Sequence, residues 1–168
     1  MRAGLALGSN LGDRLGTLCA ARAAVFALPQ VSPPHLSSRI YDTEPVDTGP
    51  DGQPFLNAVL EVGYDGTPLE LLAELQGIEQ RLGRAAKRPR NAPRTIDLDI
   101  LYCGDLVLAR EDITIPHPRL HRRRFVLTPL ADLRPDLVLP GQTQSVAALL
   151  ADLRDPAGVK LSRETWPA

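Results

Sequence analysis

Phe55-Leu56-Asn57-Ala58-Val59-Leu60-Glu61-Val62-Gly63-Tyr64, followed closely by Thr67-Pro68-Leu69-Glu70, is the stretch that decides the fold. In the first ten residues Leu56, Ala58, Leu60 and Val62 share one face and Phe55, Asn57, Val59 and Glu61 the other, which predicts a strand. Thr67 can cap a helix, Pro68 suits its first position, and Glu70 completes a capping box. Leu71, Leu72, Leu75, Ile78, Glu79 and Leu82 then follow one helical face until Gly83 stops it. Upstream, residues 3–8 read as a short buried strand ending at Gly8. Leu11, Leu15, Leu18, Arg22 and Val25 recur at helical spacing, with Asn10 as the expected cap and Pro29 beyond the end. Residues 36–43 read as a second strand and 95–102 as a further alternating one. The order β-α-β-β-α-β predicts an α+β, ferredoxin-like core, an antiparallel sheet with helices on one face. Beyond it come a short strand near 106–109, a Pro-rich turn at 116–118, helical segments near 125–132 and 144–154, and a weakly patterned tail. No repeat or linker divides the chain, so residues 1–168 are read as one domain.

The 168 residues are 43% hydrophobic and 23% charged, which excludes general disorder. Net charge is −1, which argues against a nucleic-acid coat or a polybasic membrane binder. No run approaches the ~20 apolar residues of a spanning helix, and the N-terminal apolar run is too brief for a signal peptide. Cys19 and Cys103 form no CxxC, so a cytoplasmic protein without disulfides is expected, with Cys19 a buried thiol. Residues 44–54 and 84–94 hold prolines and glycines in loops long enough to be functional.

Asp97 and Asp99 sit two apart on a strand whose other face, Ile96, Leu98 and Ile100, is apolar. They project from one side of the sheet with anchors ~7 Å apart, a spacing that lets two carboxylates share or flank cations such as Mg²⁺. An isolated Asp-x-Asp is more often an ordinary solvent-facing pair, but the surroundings differ. Residues 84–124 contain ten of the nineteen Lys and Arg residues against five acids. Carboxylates among arginines suit a polyphosphate held by Mg²⁺. Arg94 stands out because it precedes Asp97 by three residues. Neither GxxxxGK[ST] nor a strand-to-helix GxGxxG is present, so ATP would be held by side chains and metal. His117 is stiffened by Pro116 and Pro118, and Phe55 shares a strand face with Asn57, an aromatic and an amide that fit a flat heterocycle as well as a core. A ferredoxin-like sheet binding single-stranded RNA, or binding Mg-ATP without chemistry, is the alternative. The two aspartates would repel an RNA backbone.

The run Arg90-Asn91-Ala92-Pro93-Arg94-Thr95-Ile96-Asp97-Leu98-Asp99-Ile100-Leu101 closely resembles the signature of the 6-hydroxymethyl-7,8-dihydropterin pyrophosphokinase family of folate biosynthesis. Leu7-Gly8-Ser9-Asn10-Leu11-Gly12, Tyr41-Asp42-Thr43-Glu44-Pro45, Phe55-Leu56-Asn57-Ala58, Ile115-Pro116-His117-Pro118 and Arg123-Arg124-Phe125-Val126-Leu127 resemble its other motifs. The resemblance implies transfer of pyrophosphate from ATP to the pterin hydroxymethyl group, releasing AMP. It implies two Mg²⁺ ions on Asp97 and Asp99, and a pterin between Phe55 and Phe125 with Asn57, Thr43 and Val46 at its edges. Gln76, Glu79, Arg84, Arg90, Arg94, His117 and Arg123 would line the ATP side, with Ile100 and Thr114 also at nucleotide-contacting positions. Among these, Asp97, Asp99, Arg84, Arg94 and His117 would carry catalysis. Asn91-Ala92, Ala86 and Pro118 depart from residues common in the family. The expected partners are the two substrates alone, with no nucleic acid or membrane, and the expected state is a monomer.

Overall fold

The computed structural model describes residues 1–44, 53–83 and 95–168. The chain runs β1 (Arg2–Ser9), α1 (Arg14–Phe26), β2 (Val31–Ser37), β3 (Tyr41–Thr43), β4 (Phe55–Tyr64), α2 (Pro68–Arg81), β5 (Asp97–Cys103), β6 (Leu108–Ala109), β7 (Thr114–Ile115), a single 3-10 turn at Leu120–Arg122, α3 (Arg124–Leu133), α4 (Val146–Asp152) and β8 (Val159–Leu161). Strands β5-β1-β4-β3-β8 form one antiparallel sheet in that order, and β2 also pairs with β4. The α+β core expected from the pattern is present.

The alternation in β4 sorts residues between two cores. Leu56, Ala58, Leu60 and Val62 join Leu5, Leu7, Leu18, Val25, Leu71, Leu75 and Ile78 beneath α1 and α2. Val59 faces the other way and packs with Leu101, Val126, Leu127 and Leu130. The C-terminal helices therefore cover part of the sheet face opposite α1 and α2. The capping box forms as read: Glu70 N–H bonds to Thr67 Oγ1 at 3.3 Å, and Thr67 N–H to Glu70 Oε2 at 2.7 Å. Gly83 ends α2 with φ of +96°, a conformation that suits glycine.

Four local expectations change. The strand expected over 36–43 is two, β2 and β3, broken at residues 38–40, where the Arg39 backbone N–H and guanidinium turn to Asp132 of α3. Strand β2 also begins earlier and carries Pro33 and Pro34, which it tolerates because only β4 borders it and its register shifts between Ser32 and His35. Asp13 rather than Asn10 caps α1, its Oδ1 accepting from Gly16 N–H at 3.0 Å, while Asn10 is buried after β1. Cys19 is half-buried, because Leu18, Ala21 and Val25 define the buried stripe and the next position rotates away. The short strand near 106–109 narrows to β6, paired with β7.

Candidate active site

Register across the sheet builds the site. Gly8 of β1 faces Asn57 of β4 on one side and Asp97 of β5 on the other, and Asn57 in turn faces Tyr41 of β3. One row along, Ala6 lies between Val59 and Asp99. The outer face of β1 is thus Gly4, Ala6 and Gly8, while Ala3, Leu5 and Leu7 supply the core. Three small residues in alternation make a trough walled by β4 and β5. At its Gly4 end the ring of Tyr102 occupies the space that any Cβ there would need. At the Gly8 end a Cβ would stand 2.8 Å from Asn57 Oδ1 and 3.7 Å from Phe55 Cδ1, so glycine keeps that space clear.

Asn57 is buried and oriented: its Nδ2 donates to Thr43 Oγ1 at 2.5 Å, and Thr43 is buried too. Phe55 begins β4 beside them and is half-buried. Asp97 and Asp99 are half-buried on the trough side of β5, while Leu98 and Ile100 join the core beneath α2. Glu79 is buried, and its Oε1 accepts the Leu98 N–H at 2.7 Å, so α2 holds the residue between the two aspartates. Glu79 thus supports β5 from behind, and the Ile100 side chain lies on the face away from the carboxylates.

His117 follows β7, and its N–H bonds to Leu101 O at 2.8 Å, which ties its loop to β5. Its Nδ1 accepts the Arg119 N–H at 3.1 Å, so the neutral ring carries its proton on Nε2. Burial, with Arg123 and Arg119 nearby, pushes its pKa down to about 4, and Asp97 only partly opposes this. At neutral pH His117 is an uncharged Nε2–H donor near Asp97 and Arg123. Phe125 is half-buried in the first turn of α3, with the Arg123 guanidinium 5.5 Å from its ring centre.

Thr43, Phe55, Asn57, Asp97 and Asp99 therefore share one sheet face, with His117, Arg123 and Phe125 carried by the chain that follows β7. Gln76 is exposed on α2 one turn before Glu79, and Thr114 is exposed on β7. Arg84, Arg90, Arg94 and Val46 lie outside the described residues, as do most of both long loops and the departures at Ala86, Asn91 and Ala92. Gly8 lies in the same row, between Asn57 and Asp97, and is marked in the sequence only as part of Leu7-Gly8-Ser9-Asn10-Leu11-Gly12. The Gly4-Ala6-Gly8 alternation acquires meaning only once the neighbouring strands are known. Among the described residues no three His, Cys, Asp or Glu side chains converge as a metal cluster. No helix there is long and apolar enough to cross a membrane. A recess of about 390 Å³ lined by residues 133–138 follows α3, with neither Asp97 nor Asp99 on its wall.

Residues 4–135 match the family model of 7,8-dihydro-6-hydroxymethylpterin-pyrophosphokinase. The chain is 41% identical over 161 residues to the 2-amino-4-hydroxy-6-hydroxymethyldihydropteridine pyrophosphokinase of Haemophilus influenzae, covering 94% of this chain and 96% of that one. It is 37% identical over 153 residues to the folic acid synthesis protein fol1 of Pneumocystis carinii, covering 90% of this chain but 20% of that longer protein. The fold resembles that of wild-type Plasmodium falciparum HPPK-DHPS crystallised with pterin and p-hydroxybenzoate, at a TM-score of 0.66 and 16% identity. That similarity covers 89% of this chain and 41% of the larger one. The chain belongs to the 7,8-dihydro-6-hydroxymethylpterin-pyrophosphokinase family and is a diphosphotransferase of folate synthesis.

Proposed function

We propose that the trough is where a pyrophosphoryl group passes from ATP to 6-hydroxymethyl-7,8-dihydropterin. The hydroxymethyl oxygen bonds to the β-phosphorus of ATP and its proton passes to water, while the bond from that phosphorus to the oxygen bridging the α-phosphate breaks and AMP leaves with the bridging oxygen. The observation that carries this reading is the row Asn57–Gly8–Asp97. An oriented amide that can read a heterocycle edge lies across bare backbone from a carboxylate that can take a phosphate-bound cation.

The pterin ring would lie between Phe55 and Phe125, its edge read by Asn57 and Thr43 and, outside the described residues, by Val46. Asp97 and Asp99 fit Mg²⁺: they are hard oxygen donors on one face, and Mg²⁺ needs only one or two carboxylates beside substrate phosphates. When bound, Mg²⁺ neutralises phosphate charge and orients the triphosphate. His117 donates from Nε2 to a phosphate oxygen, and Arg123 offsets the charge of the departing nucleotide. Arg84, Arg90 and Arg94 would complete the phosphate side. Reactions of this class depend chiefly on positioning and electrostatics, so no covalent nucleophile is needed. The cytoplasm is the proposed compartment, supported by the two free cysteines, and a monomer is the proposed state.

The test is incubation of the protein with the pterin, ATP and Mg²⁺ and separation of the nucleotides. AMP formed in step with pterin diphosphate is expected. ADP, or AMP formed equally without the pterin, would refute the reading.

A further inference from the structure

The family match ends at residue 135, yet the chain beyond it returns to β3 and to the start of α3. Strand β8 pairs with β3, placing Val159 opposite Thr43 and Leu161 opposite Tyr41. The pairing is extended at each end: Glu44 N–H bonds to Gly158 O at 3.1 Å, and Ser162 N–H to Ile40 O at 3.0 Å. Farther on, Trp166 Nε1–H bonds to Ser38 O at 2.6 Å, with the Arg22 guanidinium 4.5 Å from its ring centre. Leu161 remains 55% exposed, so β8 adds little apolar burial and its main contribution is to give β3 a second neighbour.

The start of the same segment holds the first turn of α3. Helix α3 has no side-chain cap of its own, because Arg123 occupies that position and makes no capping bond. Asp155 supplies the missing acceptor from 31 residues away: its Oδ2 takes the Arg124 N–H at 3.1 Å. Its Oδ1 takes the Ala157 N–H at 3.0 Å, and Leu153 O accepts from the Arg124 guanidinium at 2.7 Å. The residue held this way sits between Arg123 and Phe125.

We propose that residues 153–166 form a strap fixing the separation of Thr43 on β3, at the pterin edge, from Phe125 on α3, at the pterin face, with Asp155 as its positioning residue. The inference rests on the proposed substrate assignment. A carboxylate that both accepts a first-turn N–H and meets the positive end of a helix stabilises that turn. Without it the first turn of α3 frays, and Phe125 loses its fixed place while the metal-binding face of β5 is untouched.

Asp155→Ala and Asp155→Asn test this, since Asn keeps one acceptor oxygen. Asp155→Ala is expected to raise the KM for the pterin about fivefold to tenfold, the usual scale of a lost cap, with kcat within about twofold. Asp155→Asn should recover most of the loss. Amide exchange supplies a readout independent of turnover: Val126 and Leu127, whose N–H groups bond to Arg123 O, should exchange faster in Asp155→Ala, while Ala58 and Leu60 in β4 do not change. An unchanged pterin KM with unchanged exchange, or a uniform loss of every parameter that tracks the folded fraction, would overturn the strap. Absence of pterin-dependent AMP in the unmodified protein would instead refute the substrate assignment, leaving the exchange result to judge the strap.

Discussion

Gly8 shows how a residue without a side chain defines a site. Its two cross-strand neighbours are an amide and a carboxylate, and a methyl group there would press on Asn57 Oδ1 at 2.8 Å. Asn57 cannot yield freely, because Thr43 holds it at 2.5 Å. Gly8→Ala is therefore expected to raise the KM for the pterin tenfold or more, on the order of one lost oriented hydrogen bond to a buried amide, with a small effect on that for ATP. Steady-state kinetics with each substrate varied will show it. Asp97→Ala and Asp99→Ala should each lower kcat/KM on the order of a hundredfold or more, as expected for removal of a group that stabilises transferring charge, and leave the far-ultraviolet circular dichroism unchanged. His117 makes a pH prediction. Its folded pKa of about 4 lies below the ordinary value of 6.5, so between those values the unfolded chain binds a proton that the folded chain does not. Stability contributed by neutral His117 is complete above about pH 6.5 and is lost as pH falls towards about 4. Allowing for solvent screening of a half-buried ring, denaturant unfolding at pH 7 and pH 4.5 should show the protein losing about 1 kcal/mol more than His117→Gln over that interval. Equal losses would contradict it.

Among the elements, α2 is the one most fully stated by its own residues. Thr67, Pro68 and Glu70 mark its start, and Gly83 its stop, because capping is a local matter of short side chains meeting nearby N–H groups. Thr67→Ala removes the box and should cost about 1 kcal/mol, or about 3 °C in melting temperature for a chain of this size, measurable by thermal unfolding. Helix α3 is the contrasting case. Its capping group comes from Asp155 in the tail, so nothing near Arg124 in the sequence could signal it. Strand β8 is not legible in the sequence for a related reason: three residues with an exposed Leu161 carry no alternation, and only pairing with β3 makes them a strand. The prolines of β2 hid another strand, tolerated because β4 is its only neighbour in the sheet.

At the scale of the molecule, the α+β core was legible, apart from one additional strand between α1 and α2, because alternation and helical periodicity are written along the chain. Which residues meet across the sheet was not, because register depends on strands far apart in sequence. Asp97, Asp99, Asn57, Phe55 and His117 could be singled out as chemistry-bearing types, whereas Gly8 and Asp155 have roles that only three-dimensional neighbours give. Glu61 is a further case. It alternates as an outward residue, yet its side chain is fully buried, bonded by Arg2 at 2.9 Å, Arg134 at 2.7 Å and the Tyr102 hydroxyl at 2.5 Å. That cluster closes the Gly4 end of the trough and ties the chain after α3 to the sheet. Arg134→Ala leaves the buried carboxylate short of a partner and should cost about 3 kcal/mol in denaturant unfolding. Occupation of the Gly8 end of this face by ligands can be followed by two-dimensional amide NMR. The protein would be titrated with the pterin, Mg²⁺ and a non-hydrolysable ATP analogue. The largest shifts are expected at Gly8, Asn57, Asp97, His117 and Phe125. Shifts concentrated instead around residues 133–138, with Gly8 and Asn57 unmoved, would contradict it.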